Sequence, residues 1–423
     1  MRLWLPMSAL SQSRPADVTL TVFVAGMAAV AFLFSWTLLH RGFYDRDQIV
    51  DTPVYERYGR AMNDGEIPYR DFALEYPPGS LPVFAVPAAG DAHFQRFRQR
   101  FEGLMAACGL ALVAFVCAAL AGLGGGVRRL AAAAAFVGFA PLAIGSVVLS
   151  RFDLWPAALT AAALAALASG RDRLGHGVLG VAVAVKLFPA VLAPLALAYV
   201  WKRKGRRGAI VCAAILAALA AAIVLPFVVL SPGGVWDSFS RQASRPLQIE
   251  SLGSAFLLAA HHVFGLDLTM KSGDGSQNLA GSLPDAVAVA QTLVQAAALV
   301  AIWVVFARGP AGKERFVLAC AAALTAFVAL GKVLSPQFLI WLLPLVALVG
   351  GRRGLAASAL LAAAMVLTQL WFPYRYWDLA LEFDRPASWL VLVRDFVLLG
   401  LLAVLALGLR QRNADELAAR RTA

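Results

Sequence analysis

Apolar runs close to twenty residues long, set apart by short arginine-rich turns, constrain this chain more than any other feature. Such runs match the roughly 20 helical residues that cross a bilayer core. They are continuous, which points to helices, because the strands of a membrane barrel alternate over about 10 residues. The expected fold is an all-α polytopic membrane protein: one integral membrane domain over residues 1–423, with about 10–12 transmembrane helices and short interfacial helices in its outer loops. Composition agrees. The chain is 60% hydrophobic and 15% charged, whereas a soluble domain averages about 45–50% and about 25%.

A net charge of +12 would suggest nucleic acid as the partner of a soluble protein. Here the basic residues cluster in short loops, the pattern of cytoplasmic turns, so no nucleic-acid partner is expected. Arg2 and Arg14 put the N-terminus inside. The run 18–40 is too long for the core of a cleaved signal and reads as an uncleaved first helix. Alternation then predicts a first outer loop over 41–100 and helices over about 101–123 and 130–149. A tight outer turn, SRFD (150–153), and a helix ending near Ser169 follow. Inner turns fall at Arg128/Arg129 and Arg171/Arg173. Beyond a helix over about 208–230 comes a second outer loop, 231–283, in which 244–264 begins polar and turns apolar, like a helix lying in the interface. Helices over about 284–307, 316–333, 336–349, 354–371 and 388–409 complete the bundle, and a basic cytoplasmic tail over 410–423 closes it. The four cysteines all lie in apolar runs and read as small core residues, not as disulfides or metal ligands. Alanine-rich stretches at 131–135 and 161–168 favour helix and permit close packing.

One stretch resists simple alternation. Residues 177–200 lie between RDR (171–173) and KRKGRR (202–207), both of which belong inside. About 24 residues rise roughly 36 Å, enough to cross once but not twice. Two half-helices that dip in and return reconcile the charges, with Lys186 and Pro189 at the break. An ionisable group at that depth is costly, which favours a role for Lys186 facing a polar cavity, where a cation could hold a phosphate.

The polar residues concentrate elsewhere. Residues 44–79 carry eight of the 25 acidic residues. Pro53 pre-sets a helix start, with Thr52 the expected N-cap. Val54, Tyr55, Tyr58, Ala61 and Met62 then form one apolar stripe at helical spacing, so the helix should lie on the membrane surface. Asp51 sits where the chain leaves the bilayer, with apolar matter on one side and water on the other. That suits a general base serving a lipid-linked and an aqueous reagent, though Asp51 could equally just support the helix start. Asp45 and Asp47 beside Arg46 read as a solvated turn. Asp71 and Glu75, with Tyr76 beside the rigid Pro77-Pro78 turn, are candidates to bind a sugar, although a turn is the plainer role. Further candidates are Arg151 and Asp153 at the SRFD turn, the polar cluster Arg245, Gln248 and Glu250, and Ser335 and Gln337 in SPQ. No acidic pair in the first loop comes with a histidine, so no metal site is expected, and no phosphate-cradling glycine loop is present.

Taken in order, these segments carry a resemblance. DTPVY (51–55), the Gly65-x-x-Pro68-Tyr69 spacing and EYPPG (75–79) resemble the first outer loop of glycosyltransferase family 87. SRFDLWPAAL (150–159), VKLFPAVLAPLAL (185–197), RPLQIES (245–251) and SPQFLIWLLP (335–344) are similar to later family segments. The family consists of membrane enzymes of the GT-C superfamily and includes polyprenol-phosphate-mannose-dependent α-mannosyltransferases. The resemblance implies a GT-C-like helical bundle, a sugar donor on polyprenyl phosphate, a lipid- or glycan-linked acceptor at the outer face, and transfer with inversion. The family's base aspartate maps onto Asp51, although Asp45, Asp47 and Asp71 crowd nearby. No cofactor is implied, because the donor arrives activated in the membrane. The competing reading, a transporter or flippase of a lipid-linked sugar, would place polar groups at mid-membrane in several helices. This chain concentrates them in two outer loops.

Overall fold

A computed structural model describes residues 18–46, 49–90, 93–273 and 275–422, with side chains as far as Gln411. The expectations placed on Arg2, Arg14 and Asp47 lie outside those residues, and those on Arg412, Arg420 and Arg421 lie outside the described side chains.

The chain is helical nearly throughout. Helix α1 (Val18–Leu38) leads into a loop holding α2 (Thr52–Asn63) and α3 (Leu81–Ala88). Helices α4 (Phe94–Gly122), α5 (Val127–Ile144), the short α6 (Val147–Ser150), α7 (Leu154–Ala168) and α8 (Asp172–Val185) follow. Helix α9 (Ala193–Leu230) is broken at Gly205, whose φ of 71° an L side chain rarely adopts. The second loop carries α10 (Pro232–Ser244), strand β1 (Leu247–Gln248), α11 (Leu252–Phe264) and strands β2 (Thr269–Gly273) and β3 (Ser276–Ala280). The bundle ends with α12 (Ser282–Arg308), α13 (Lys313–Ala329), α14 (Phe338–Ala347), α15 (Gly351–Gln369), the short α16 (Tyr376–Glu382) and α17 (Arg385–Thr422). Six helical spans among the described residues are long and apolar enough to cross a membrane, and α7 and α14 are shorter apolar helices.

Burial is arranged for a lipid solvent. Helix α13 is buried along almost its whole length, its alanines packed among neighbouring helices. In contrast α1, α9 and α12 expose Val22, Phe23, Leu225, Val229, Val289 and Leu293, large apolar side chains suited to hydrocarbon. The alanine-rich run of α7 is buried except at half-buried Ala162, and α4 and α8 pack against it.

The basic turns converge on one end of the bundle. Arg129 pairs with Glu314 at 2.5 Å and donates to the Leu348 carbonyl. Lys313 donates to Gly122 O and Lys202 to Gly309 O. Buried Arg315 donates to the carbonyls of Val305, Phe306 and Pro310 and so closes the end of α12. At the other end Tyr374 donates to Phe43 O, and Gln369 and Tyr44 both donate to Leu142 O. The turns expected inside thus share one end, and those expected outside share the other.

The awkward segment resolves as a broken pair. Asp172, opening α8, pairs with Lys204 at 2.6 Å and Arg203 at 3.3 Å, so both flanks of the segment meet at the basic end. Helix α8 stops at Lys186, whose extended φ of −157° and ψ of 144° break it. A 3-10 turn (Phe188–Leu192) then starts the return. Two expectations need correction. Helix α2 begins at Thr52, and it is Asp51 that occupies the N-cap position, with neither side chain capping. The second loop is no single interfacial helix. Gln248 pairs with Asn278 in a three-stranded antiparallel sheet ordered β1-β3-β2, and a new helix starts only at Leu252, capped by Ser251.

Candidate active site

Three short helices create a recess. Helices α7, α8 and α14 have 15, 14 and 10 residues. At 1.5 Å per residue they rise about 22, 21 and 15 Å, against a hydrocarbon core of about 30 Å. All three are rooted at the basic end, so their other ends stop short of the opposite surface. Asp153 opens α7, Lys186 closes α8 and Ser335 precedes α14. These residues therefore form a sunken floor.

The floor is a charged pair in an aromatic box. Lys186 Nζ donates to Asp153 Oδ1 at 2.6 Å, and Trp341 Nε1 donates to the same oxygen at 2.5 Å. The ammonium lies 4.5 Å from the Phe152 ring centroid, 5.2 Å from Trp341 and 5.8 Å from Tyr76. Trp341 is fixed by stacking on Phe188 at 4.3 Å and Phe338 at 3.9 Å. Gly79, in the Pro-Pro turn, lies against the end of α8. A Cβ there would sit 2.7 Å from Ala184 backbone, so the turn carrying Tyr76 packs directly beside Lys186.

Above the floor stands Arg151, 7% exposed, with Nη1 3.0 Å from Asp51 Oδ1. Tyr55 Oη donates to Asp51 Oδ2 at 3.3 Å, and the aspartate side chain remains 32% exposed. Asp51 is thus held from two sides and open on a third. Glu75 is tied to α10: Ser238 and Gln242 donate to its carbonyl, and Gln242 also reaches its carboxylate at 3.3 Å. Burial pushes the Glu75 carboxyl above its ordinary range, partly offset by neighbouring Arg245.

The sheet segment closes the recess. Gln248 donates to Ser335 Oγ at 2.9 Å and to Glu250 Oε2. Arg394 donates to the Glu250 carbonyl at 2.7 Å and pairs with Asp395 at 2.7 Å, both fully buried in α17. Burial drives the Glu250 carboxyl up to about 8, despite Arg394, Arg151 and Arg245 nearby. At neutral pH Glu250 is therefore largely a neutral acid, able to donate a hydrogen bond. A group protonated when folded and ionised when unfolded stabilises most at low pH and loses that contribution as pH rises from about 4.5 to about 8. Thermal stability should accordingly fall between pH 5 and 8.5, and Glu250→Gln should flatten that slope. Thermal-shift curves across this range provide the check.

Several buried polar atoms here lack a hydrogen-bond partner: Arg151 Nε, Asp153 Oδ2, Arg245 Nε, Gln248 Oε1 and Glu250 Oε1. Folded proteins leave few such groups, so these atoms have hydrogen-bonding capacity to spare for a ligand. The recess gathers Asp51, Glu75, Tyr76, Arg151, Asp153, Lys186, Arg245, Gln248, Glu250 and Ser335. It does not include Asp71, which is locked by Arg70 at 2.9 Å and by the Ile67 amide at 2.8 Å in an exposed turn. Gln337 lies in the N-cap position of α14, its carbonyl accepting from Ile340 N. Sequence reading missed Trp341, Tyr55 and the Arg394–Asp395 pair. Two charges inside the apolar run 388–409 were the available signal for that pair.

A polytopic helical bundle with a charged recess at one end suits membrane-embedded chemistry, and comparison with known proteins gives the class. The sequence profile of glycosyltransferase family 87 matches residues 74–336, more than half of the chain. The protein belongs to glycosyltransferase family 87 and is a membrane glycosyltransferase. The matched span takes in Glu75, Tyr76, Arg151, Asp153, Lys186, Arg245, Gln248, Glu250 and Ser335, and leaves out Asp51, Tyr55, Trp341 and the Arg394–Asp395 pair. The chain is also similar to the crystal structure of ArnT from Cupriavidus metallidurans bound to undecaprenyl phosphate, with 14% identity and a TM-score of 0.48 over 94% of this chain and 79% of that one. No curated protein matches the sequence.

Proposed function

We propose that the protein transfers a sugar, with inversion, from a polyprenyl-phosphate donor to a lipid- or glycan-linked acceptor, and that Asp51 is the base. The observation that carries this reading is the Asp51–Arg151 pair at the mouth of the recess: an open carboxylate beside a buried cation. The acceptor hydroxyl gives its proton to Asp51 as its oxygen attacks the anomeric carbon. The bond between that carbon and the phosphate oxygen breaks, and polyprenyl phosphate leaves as an anion.

Arg151 and Arg245, with Lys186 on the floor beneath them, supply the positive surround for the departing phosphate. Neutral Glu250 adds a hydrogen-bond donor without adding repulsion. Gln248, itself anchored on Ser335, holds Glu250 in place, while Glu75 and Tyr76 line the side on which the acceptor sugar enters. Mannose is the sugar that the family resemblance favours. The basic end faces the cytoplasm with both termini, and the recess opens at the outer face of the cell membrane.

Purified protein supplied with a panel of polyprenyl-phosphate sugars should turn over at least one of them and yield a product of inverted anomeric configuration. Nucleotide sugars should not replace that donor. Turnover with a nucleotide sugar, or retention of configuration by linkage analysis, would overturn the reading.

A further inference from the structure

A second concavity lies at the basic end, about 21 Å from the recess along α8. Its volume is about 760 Å³, and it is lined by Arg171, Arg173, Lys204 and Arg207 around a single carboxylate, Asp172. That carboxylate is already committed to Lys204 and Arg203. Arg171, Arg173 and Arg207 make no side-chain ion pair among the described residues, and all three are exposed. Cations gathered around one hollow repel each other unless an anion sits among them.

Its other wall is apolar: Leu174 from α8, and Val211 and Cys212 from the second half of α9. Helix α9 breaks at Gly205, and its second half packs against α8, with the Leu216 backbone beside Gly180; the hollow lies between Gly170–Leu174 and the start of that half. That half exposes Ile210, Leu219 and Leu225 along its length, a surface for hydrocarbon that starts at the cationic rim. Charge at one end and a lipid-facing apolar track leading from it fit an amphiphile better than a soluble anion. Flanking arginines that only orient the chain would need no hollow.

We propose that this cleft binds the phosphate headgroup of an anionic phospholipid, with its acyl chains along the second half of α9. The site is separate from the donor site and independent of the transfer reaction.

The test uses full-length protein in a neutral detergent, titrated with phosphatidylglycerol, phosphatidylcholine or inorganic phosphate. Bound lipid is read by native mass spectrometry and stability by thermal shift. Phosphatidylglycerol should bind and raise the melting temperature, and the other two should not. Arg173→Ala/Arg207→Ala should weaken binding roughly 30-fold, and each single change roughly five-fold. Arg173→Lys/Arg207→Lys, which keeps the charge, should retain binding. Equal effects of phosphatidylcholine, an equal shift from inorganic phosphate alone, or unchanged binding by the double alanine variant would each overturn the proposal.

Discussion

Asp51→Asn is expected to lower the transfer rate by roughly 10²–10⁴-fold while leaving the fold intact. Asparagine keeps the shape of the side chain and can still accept from Tyr55, so the geometry at the start of α2 persists. It cannot take a proton from the acceptor. The same change removes a negative charge 3.0 Å from Arg151, in a region proposed to hold a donor phosphate. Donor binding should therefore hold or tighten while turnover collapses. That combination separates a base from a phosphate ligand or a helix-start residue, either of which would weaken binding or stability instead. Asp71→Asn is the matched control. Its carboxylate is held well below the usual range, to about 2, by Arg70 and the Ile67 amide, and it lies outside the recess. Its turnover should stay near wild type. Near-normal turnover by Asp51→Asn would sink the assignment and move the search to Glu75, a partly buried carboxylate on the first loop that also lines the recess.

The topology was legible because charge and hydropathy report directly on solvent. The turns carrying Arg129, Arg171 and Lys202 were placed together by sequence, and in the fold Arg129 reaches Glu314, Lys204 reaches Asp172 and Lys202 reaches Gly309 at one end of the bundle. The break at Lys186 was legible for the same reason: two basic flanks and too few residues left one solution. Contacts set by long-range packing were not legible. Arg151 and Asp51 are a hundred residues apart and meet only because α4 and α7 pack together beneath the first loop. The β1–β3 pairing that orients Glu250 joins Leu247 to Leu279 across a helix, and two residues of strand leave too little alternation to read. The family resemblance pointed to Asp51. Its partners, Arg151 and Tyr55, emerged only from the fold.

Lys186 acquires a different emphasis from its surroundings. By sequence it was a cation free to meet a phosphate, but in the fold one of its donors is spent on Asp153, whose side chain is 1% exposed. Removing one member of a buried pair leaves the other charge uncompensated, at a cost of about 3–5 kcal/mol. Lys186→Ala is thus expected to lower the melting temperature sharply, because Asp153 would keep only the Trp341 hydrogen bond. Asp153→Ala should do the same for Lys186, softened by the faces of Phe152 and Tyr76. The double variant Lys186→Met/Asp153→Leu removes both charges and restores apolar packing. It should recover most of the stability lost by either single change, yet remain impaired in transfer, since the floor would no longer offer charge to the donor. Thermal shift and donor binding on the three variants provide the measurement. Were Lys186 purely a phosphate ligand, Lys186→Ala would keep its melting temperature and lose only donor affinity, and the double variant would show no rescue. The geometry favours coupling: the short helices α7 and α8 end within hydrogen-bonding reach of each other, and the charge pair that joins them is also the base on which the rest of the recess stands.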